Sequence, residues 1–253
     1  MTKRILDATN LSVTFKSYGY EIPAVKNVDF HLNEGEVVGV VGESGSGKST
    51  LARVLAGLQI PTTGQVLYMG EPIQRGSVTY SGEMRKAVQM VFQDPYSSLN
   101  PRMRILSAVV EAIIQHQTRD RAAAEEIALK LLKRMGISET DARKYPNSLS
   151  GGQRQRASVA RALSAQPKVL IADEPTSAID QSAQSQLLEL FTDLMADGLS
   201  IILISHDLGV IRYLSDRVYV MESGVFVESG DTQDIFNKPA EFYTQKLIAS
   251  IPK

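Results

Sequence analysis

Gly42–Thr50 reads GESGSGKST, and the pattern G-x-x-x-x-G-K-[ST] falls on Gly42, Gly47, Lys48 and Ser49. The apolar run Glu36–Val41 (EVVGVV) just before it reads as a buried strand. Leu51–Ala56 after it has helix-forming composition, and Gly57 offers a stop. Strand, glycine loop and helix in that order make a phosphate cradle. Gly42, Gly45 and Gly47 let the backbone take positive φ and come close to an anion. The loop N–H groups, from Ser44 through Ser46 to Thr50, and the helix N-terminus then face the phosphates. Lys48 is expected to reach the β- and γ-phosphates, and the Ser49 hydroxyl to ligate Mg²⁺.

Working outward, 253 residues allow one large domain or two small ones, enough to bury a real core. A net charge of −1 gives no global electrostatic case for nucleic acid or anionic lipid. With no cysteine, disulfides, thiolate metal sites and cysteine nucleophiles are excluded. The N-terminal residues lack an apolar signal-peptide core, and apolar runs such as Ile201–Ile204 are too short to span a bilayer. Work at a membrane therefore needs another chain to cross it.

On the N-terminal side, residues 5–15 and 28–32 read as strands, with Lys16–Pro23 as a loop between them. Phe15, Tyr18 and Tyr20 are candidates to stack on an adenine. Beyond the first helix, Pro61–Gly64 reads as a turn and Gln65–Met69 as a strand. Arg85–Phe92 ends in another strand, and Gln93–Arg102, broken by prolines, is irregular. Gln93, directly after that strand, is a candidate Mg²⁺ ligand or water holder. Leu106, Val109, Val110, Ile113 and Ile114 repeat at helical spacing, and Arg121–Met135 is a second helix closed by Gly136. No strand signal occurs from 103 to about 168, so an all-helical insert interrupts an α/β core.

Leu149–Gln153 (LSGGQ) precedes a helix-like run, Arg154–Ser164. Ser150 is placed to cap that helix, and Gly151 and Gly152 permit close backbone approach, so this is a second helix end able to receive an anion. Val169–Glu174 is an apolar strand ending in two acids: Asp173 as the Mg²⁺ ligand, Glu174 to orient or deprotonate an attacking water. Thr176–Asp180 is a loop before a helix over Gln184–Met195. Leu199–Ile204 is a further strand, with His206 at its carboxyl end, where ligands gather in open α/β sheets. Arg217–Met221 and Val225–Glu228 form a hairpin, and Ala240–Ala249 a last helix.

In this order the segments resemble the nucleotide-binding subunit of ABC transporters. Gly42–Thr50 is similar to Walker A, Gln93 to the Q-loop, Leu149–Gln153 to the signature, Val169–Glu174 to Walker B with its catalytic glutamate, Ser177–Asp180 to the D-loop, and His206 to the switch histidine. The resemblance selects Phe15 as the adenine-stacking aromatic. It implies an α/β fold: a P-loop NTPase (RecA-like) core with an antiparallel β subdomain and an inserted all-helical subdomain. The implied boundaries within one domain, 1–253, are a core of about 1–92 and 168–230, a helical subdomain of about 93–167, and a C-terminal helix within about 231–253. Phe92–Arg102 and the end, Gly230–Phe236 with Phe242–Thr244, resemble the dipeptide/oligopeptide/nickel importer ATPases. Departures are a chain that stops at Lys253 without the longer cysteine-containing extension, and Ile179 and Gln181 where Leu and Val are usual. The short tail shifts the expected cargo towards nickel or a metallophore.

The resemblance further implies a head-to-tail dimer with a second ATPase subunit, identical or different. Lys48 and Ser49 of one subunit, with Ser150 and Gly152 of the other, would sandwich each ATP, and Gly151, Gln153 and Asp180 are further implied nucleotide contacts. Two transmembrane permease subunits, and indirectly a solute-binding protein, are the implied partners, with the chain peripheral on the cytoplasmic face of the cell (inner) membrane and no nucleic acid bound. The alternative is a soluble ABC ATPase. DNA-repair members carry a long coiled coil between Walker A and the signature; here there are no sustained heptads. A GTPase needs Asn-Lys-x-Asp, and Asn237–Ala240 fails it.

Overall fold

The computed structural model describes residues 3–17, 19–75, 78–79, 82–94, 98–177 and 179–250. Tyr18 and residues 95–97 and 178 of the Q-loop and D-loop segments lie outside the described residues. In chain order the strands are β1 (Arg4–Ser17), β2 (Tyr20–Asn33), β3 (Val37–Val41), β4 (Thr63–Tyr68), β5 (Glu71–Pro72), β6 (Gln74–Arg75), β7 (Val78–Thr79), β8 (Val88–Val91), β9 (Val169–Asp173), β10 (Ser200–Ile204), β11 (Arg217–Glu222) and β12 (Val225–Asp231). The helices are α1 (Lys48–Leu55), α2 (Gly82–Ala87), α3 (Ile105–His116), α4 (Arg121–Arg134), α5 (Glu139–Ala142), α6 (Gly151–Leu163), α7 (Gln181–Ala196), α8 (Leu208–Leu214), α9 (Thr232–Asn237) and α10 (Phe242–Ala249). Two compact units share them: residues 1–85 with 195–253, and residues 86–194.

In the first unit β3 lies between β10 and β11, parallel to both, and β12 pairs antiparallel with β11. Every residue of β3 and β10 is buried, which is why both read as unbroken apolar runs rather than alternating ones. Leu51, Ala52, Val54 and Leu55 of α1 are fully buried. Each such leucine contributes about 1.5–3 kcal/mol by leaving water. A second, antiparallel sheet runs β2-β1-β4-β5.

Three sequence readings change here. Lys16–Pro23 is not a loop: β1 and β2 pair as far as Ser17↔Tyr20, and Pro23 sits opposite Thr14. Because β2 is the sheet's edge, the missing N–H of Pro23 costs no ladder bond. Helix α1 starts at Lys48 rather than Leu51, because Gly47 takes the left-handed conformation at its N-cap. Two short helices, α8 and α9, carried no clear periodicity; Asp207 caps α8 by accepting the Gly209 and Val210 N–H groups.

Arg217 joins the two larger sheets of this unit. It donates to Glu36 Oε1 at 2.8 Å, to the His31 carbonyl at 2.7 Å and to the Tyr219 hydroxyl at 2.9 Å. The Tyr219 ring lies against Phe30 and Phe226, with centroids 4.9 and 4.6 Å apart. Burial pushes the Glu36 carboxyl up, but the Arg217 bond and the Asn33 N–H outweigh it and hold it below the usual carboxylate range. A depressed carboxylate adds stability that is full above its unfolded pKa and is lost as pH falls through the folded one. Glu36→Gln should therefore cost about 2 kcal/mol at pH 7, between the exposed and fully buried limits. Urea titrations of both proteins should show that gap narrowing below about pH 4; a constant gap would contradict this role for the ion pair.

In the second unit β8 and β9 run parallel, Val88–Val91 beside Val169–Ala172. Between them in sequence there is no strand among the described residues, only helices and a short 3₁₀ turn at Pro146–Ser148. Ile105, Val109 and Ile113 of α3 and Ala124, Ala128 and Leu132 of α4 are fully buried. Asp120 caps α4 and Ser138 caps α5, so these helix starts are written in the sequence. Among the described residues no helix is long and apolar enough to cross a membrane.

Candidate nucleotide-binding site

The turn from β3 into α1 is built by glycines that cannot be replaced. Gly42 has φ +150° and Gly47 φ +108°. A methyl group on Gly42 would overlap the Met221 carbonyl oxygen, and one on Gly47 the Ala24 carbonyl oxygen. Gly45, at φ +81°, faces open space and is fixed by conformation alone. Ser46 is buried and ties the loop at both ends, its N–H donating to Glu43 O at 3.2 Å and its carbonyl accepting from Gly224 N at 2.9 Å. Ser44 and Gly45 are exposed at the tip, and Ser49 and Thr50 are half-buried in the first turn of α1.

No side chain caps the start of α1. A helix N-terminus of this kind carries about half a positive charge and receives anions. Lys48 is 5 % exposed and curls back over the loop, its Nζ donating to Gly42 O at 2.8 Å and Glu43 O at 2.7 Å. A buried ammonium and an uncapped helix N-terminus are both groups that favour a nearby anion. In the same unit Phe15, on β1, is 40 % exposed opposite Ile22, and Tyr20 is 76 % exposed. His206 is exposed just after β10, beside the buried Ser205.

The second unit brings three of the expected residues together around the end of β9. Asp173 is buried at its carboxyl end. Glu174 follows with φ +45°, a left-handed conformation for a non-glycine residue. That backbone costs on the order of 1–3 kcal/mol and is found where function holds it. Ser177 supports it, its N–H and Oγ both donating to the Glu174 carbonyl at 3.3 and 3.0 Å. Gln93 Nε2 donates to Glu174 Oε2 at 3.0 Å, so the two side chains are already in contact. The sequence held no signal for the strained backbone or for Ser177 as its support.

The signature segment is a helix start. Ser150 N-caps α6 in a capping box: Gln153 N–H donates to Ser150 Oγ at 3.2 Å, and Ser150 N–H donates to Gln153 Oε1 at 3.0 Å. Gln153 Nε2 also donates to Asp141, so that side chain is engaged within the unit at both ends. Gly151 opens the helix half-buried, while a methyl group on Gly152 would overlap the Ala183 side chain of α7. Asp180 accepts Ser182 Oγ and the Ala183 N–H at the start of α7, and those bonds hold its carboxyl below the usual range.

The chain is similar to known proteins. The ABC transporter family model matches residues 25–177. The oligopeptide transport ATP-binding protein OppD of Bacillus subtilis is 42 % identical over 259 residues, spanning 98 % of this chain and 72 % of the relative. The oligopeptide transport ATP-binding protein AmiF of Streptococcus pneumoniae is 37 % identical, spanning 100 % and 83 %. Among solved structures, the dimeric post-hydrolysis state of the ATP-binding cassette MJ0796 bound to ADP and Pi superposes with a TM-score of 0.80 at 29 % identity, covering 90 % of this chain and 98 % of that one. On these grounds the chain belongs to the ABC transporter family, as one of its ATP-hydrolysing cassettes.

Proposed function

We propose that this chain is the ATPase subunit that drives import of peptides through separate membrane permease subunits, acting peripherally on the cytoplasmic face. The observation that carries the cargo class is the likeness, over almost the full chain, to ATP-binding proteins of oligopeptide transport. Neither likeness points to nickel or a metallophore.

In this reading Lys48 and the N–H groups from Ser44 to Thr50 hold the β- and γ-phosphates, and Phe15 stacks on the adenine. The Ser49 hydroxyl, the Gln93 amide oxygen and the Asp173 carboxylate are all hard oxygen donors, the chemistry Mg²⁺ prefers. Mg²⁺ held by such donors would neutralise charge on the phosphate oxygens. Glu174 orients and polarises the attacking water, and His206 steadies the terminal phosphate. The Gln93–Glu174 bond supports a sensing role, since any movement of the Glu174 carboxylate reaches Gln93 directly. Gln93 begins the helical subdomain, about 93–167, which would pass that movement to a permease. Ser150, Gly151, Gly152, Gln153 and Asp180 face the nucleotide of a second cassette, identical or different, the partly positive N-terminal end of α6 reading its terminal phosphate.

Reconstitution tests this. With its permeases in proteoliposomes, ATP turnover should rise several-fold when a peptide-loaded solute-binding protein is added, with peptide accumulating inside. Turnover indifferent to peptide, or stimulated by nickel chelates instead, would overturn the cargo assignment.

A further inference from the structure

The C-terminal helix α10 reaches the phosphate loop. The Glu43 N–H donates to the Tyr243 hydroxyl at 2.9 Å, across 200 positions of sequence. Glu43 lies in the loop, and its N–H belongs to the same peptide unit as the Gly42 carbonyl, which accepts Lys48 Nζ at 2.8 Å. A trans peptide is planar, so its N–H and C=O point in opposite directions. Fixing one fixes the other. The phenol on one side of this unit therefore sets where the carbonyl on the other side presents itself to the ammonium.

The surroundings make Tyr243 a firm anchor. Glu228 accepts the Ala240 and Glu241 N–H groups at 2.8 and 3.2 Å, which pins the start of α10 to β12. The same hairpin's turn holds the loop once more, through Gly224 N–H to Ser46 O. Burial, with the nearby Glu43 and Glu222 charges, outweighs the Glu43 N–H bond and pushes the phenol up, so it stays a neutral hydroxyl at physiological pH. Gly42, at φ +150°, has the freedom to let the 42–43 peptide turn over once that hydroxyl is gone.

We infer that Tyr243 is a positioning residue for Lys48: through the Gly42–Glu43 peptide it holds the loop in the form that receives the nucleotide phosphates. This rests on reading Gly42–Thr50 as the nucleotide cradle. Tyr243 acts through the peptide and touches no reacting atom.

Tyr243→Phe in the full chain removes the hydroxyl and keeps the ring. Binding of a fluorescent ATP analogue should weaken about three- to tenfold, the worth of one hydrogen bond, with turnover at saturating ATP within about twofold of wild type. In a Lys48→Ala background the same change should weaken binding less than about twofold, because the group it positions is gone. An equal loss in both backgrounds, or no loss in either, overturns the inference. Amide exchange checks it without any variant: the wild-type Glu43 N–H must be protected, and exchange at the rate of an open loop would contradict the contact. Wild-type protein that fails to bind the analogue would instead defeat the cradle assignment itself.

Discussion

Glu174→Gln should lower ATP turnover by about 10²–10⁴-fold while leaving ATP binding intact. The change removes the negative charge that polarises water and keeps the shape of the side chain. Gln93 donates to Glu174 Oε2 at 3.0 Å, and a glutamine oxygen can still accept that bond, though less strongly. The left-handed backbone at φ +45° is held by Ser177 on the carbonyl, not by the carboxylate, so it should survive. The variant should accumulate as an ATP-bound dimer, seen as a shift to twice the mass in light scattering when ATP is added. A variant hydrolysing ATP at the normal rate would remove Glu174 from the reaction.

Gly42→Ala should abolish detectable nucleotide binding, a loss of at least about 100-fold, and destabilise the fold by about 2–4 kcal/mol. Two independent penalties act together. The φ of +150° is closed to a residue with a Cβ, and the new methyl would overlap the Met221 carbonyl, which belongs to β11 and cannot swing away as a side chain can. Relief requires the loop to leave β11, and with it the Gly42 carbonyl that holds Lys48. Gly45→Ala gives the comparison: the same loop, positive φ, but open space, so only the conformational cost applies and the loss should be smaller. Fluorescent nucleotide binding and thermal unfolding of both variants check the ranking. Equal effects would mean that packing against β11 does not matter.

Much of this was legible because the decisive features are local. The strand–loop–helix pattern, the Ser150 cap and the turn at Ser223–Gly224, both with positive φ, each depend on a few neighbouring residues. What the sequence hid depends on partners far along the chain. Lys16–Pro23 read as a loop, and only the sheet order shows that β2 is an edge, where Pro23 is tolerated. The left-handed Glu174 carried no signal, since glutamate gives no hint of positive φ. The Tyr243–Glu43 bond joins residues 200 positions apart. Both ends of the Gln153 amide bond groups within its own unit, which no spacing rule reveals.

The most direct measurement is the structure of the Glu174→Gln protein, assembled with its cassette partner and loaded with ATP. Ser150 Oγ and the N-terminal turn of α6 should lie within hydrogen-bond reach, about 2.6–3.2 Å, of the terminal phosphoryl oxygens of the ATP held by the facing cassette. If Ser150 instead faces water, with no nucleotide of another subunit before it, ATP does not join two cassettes through this segment and the proposed power stroke is wrong.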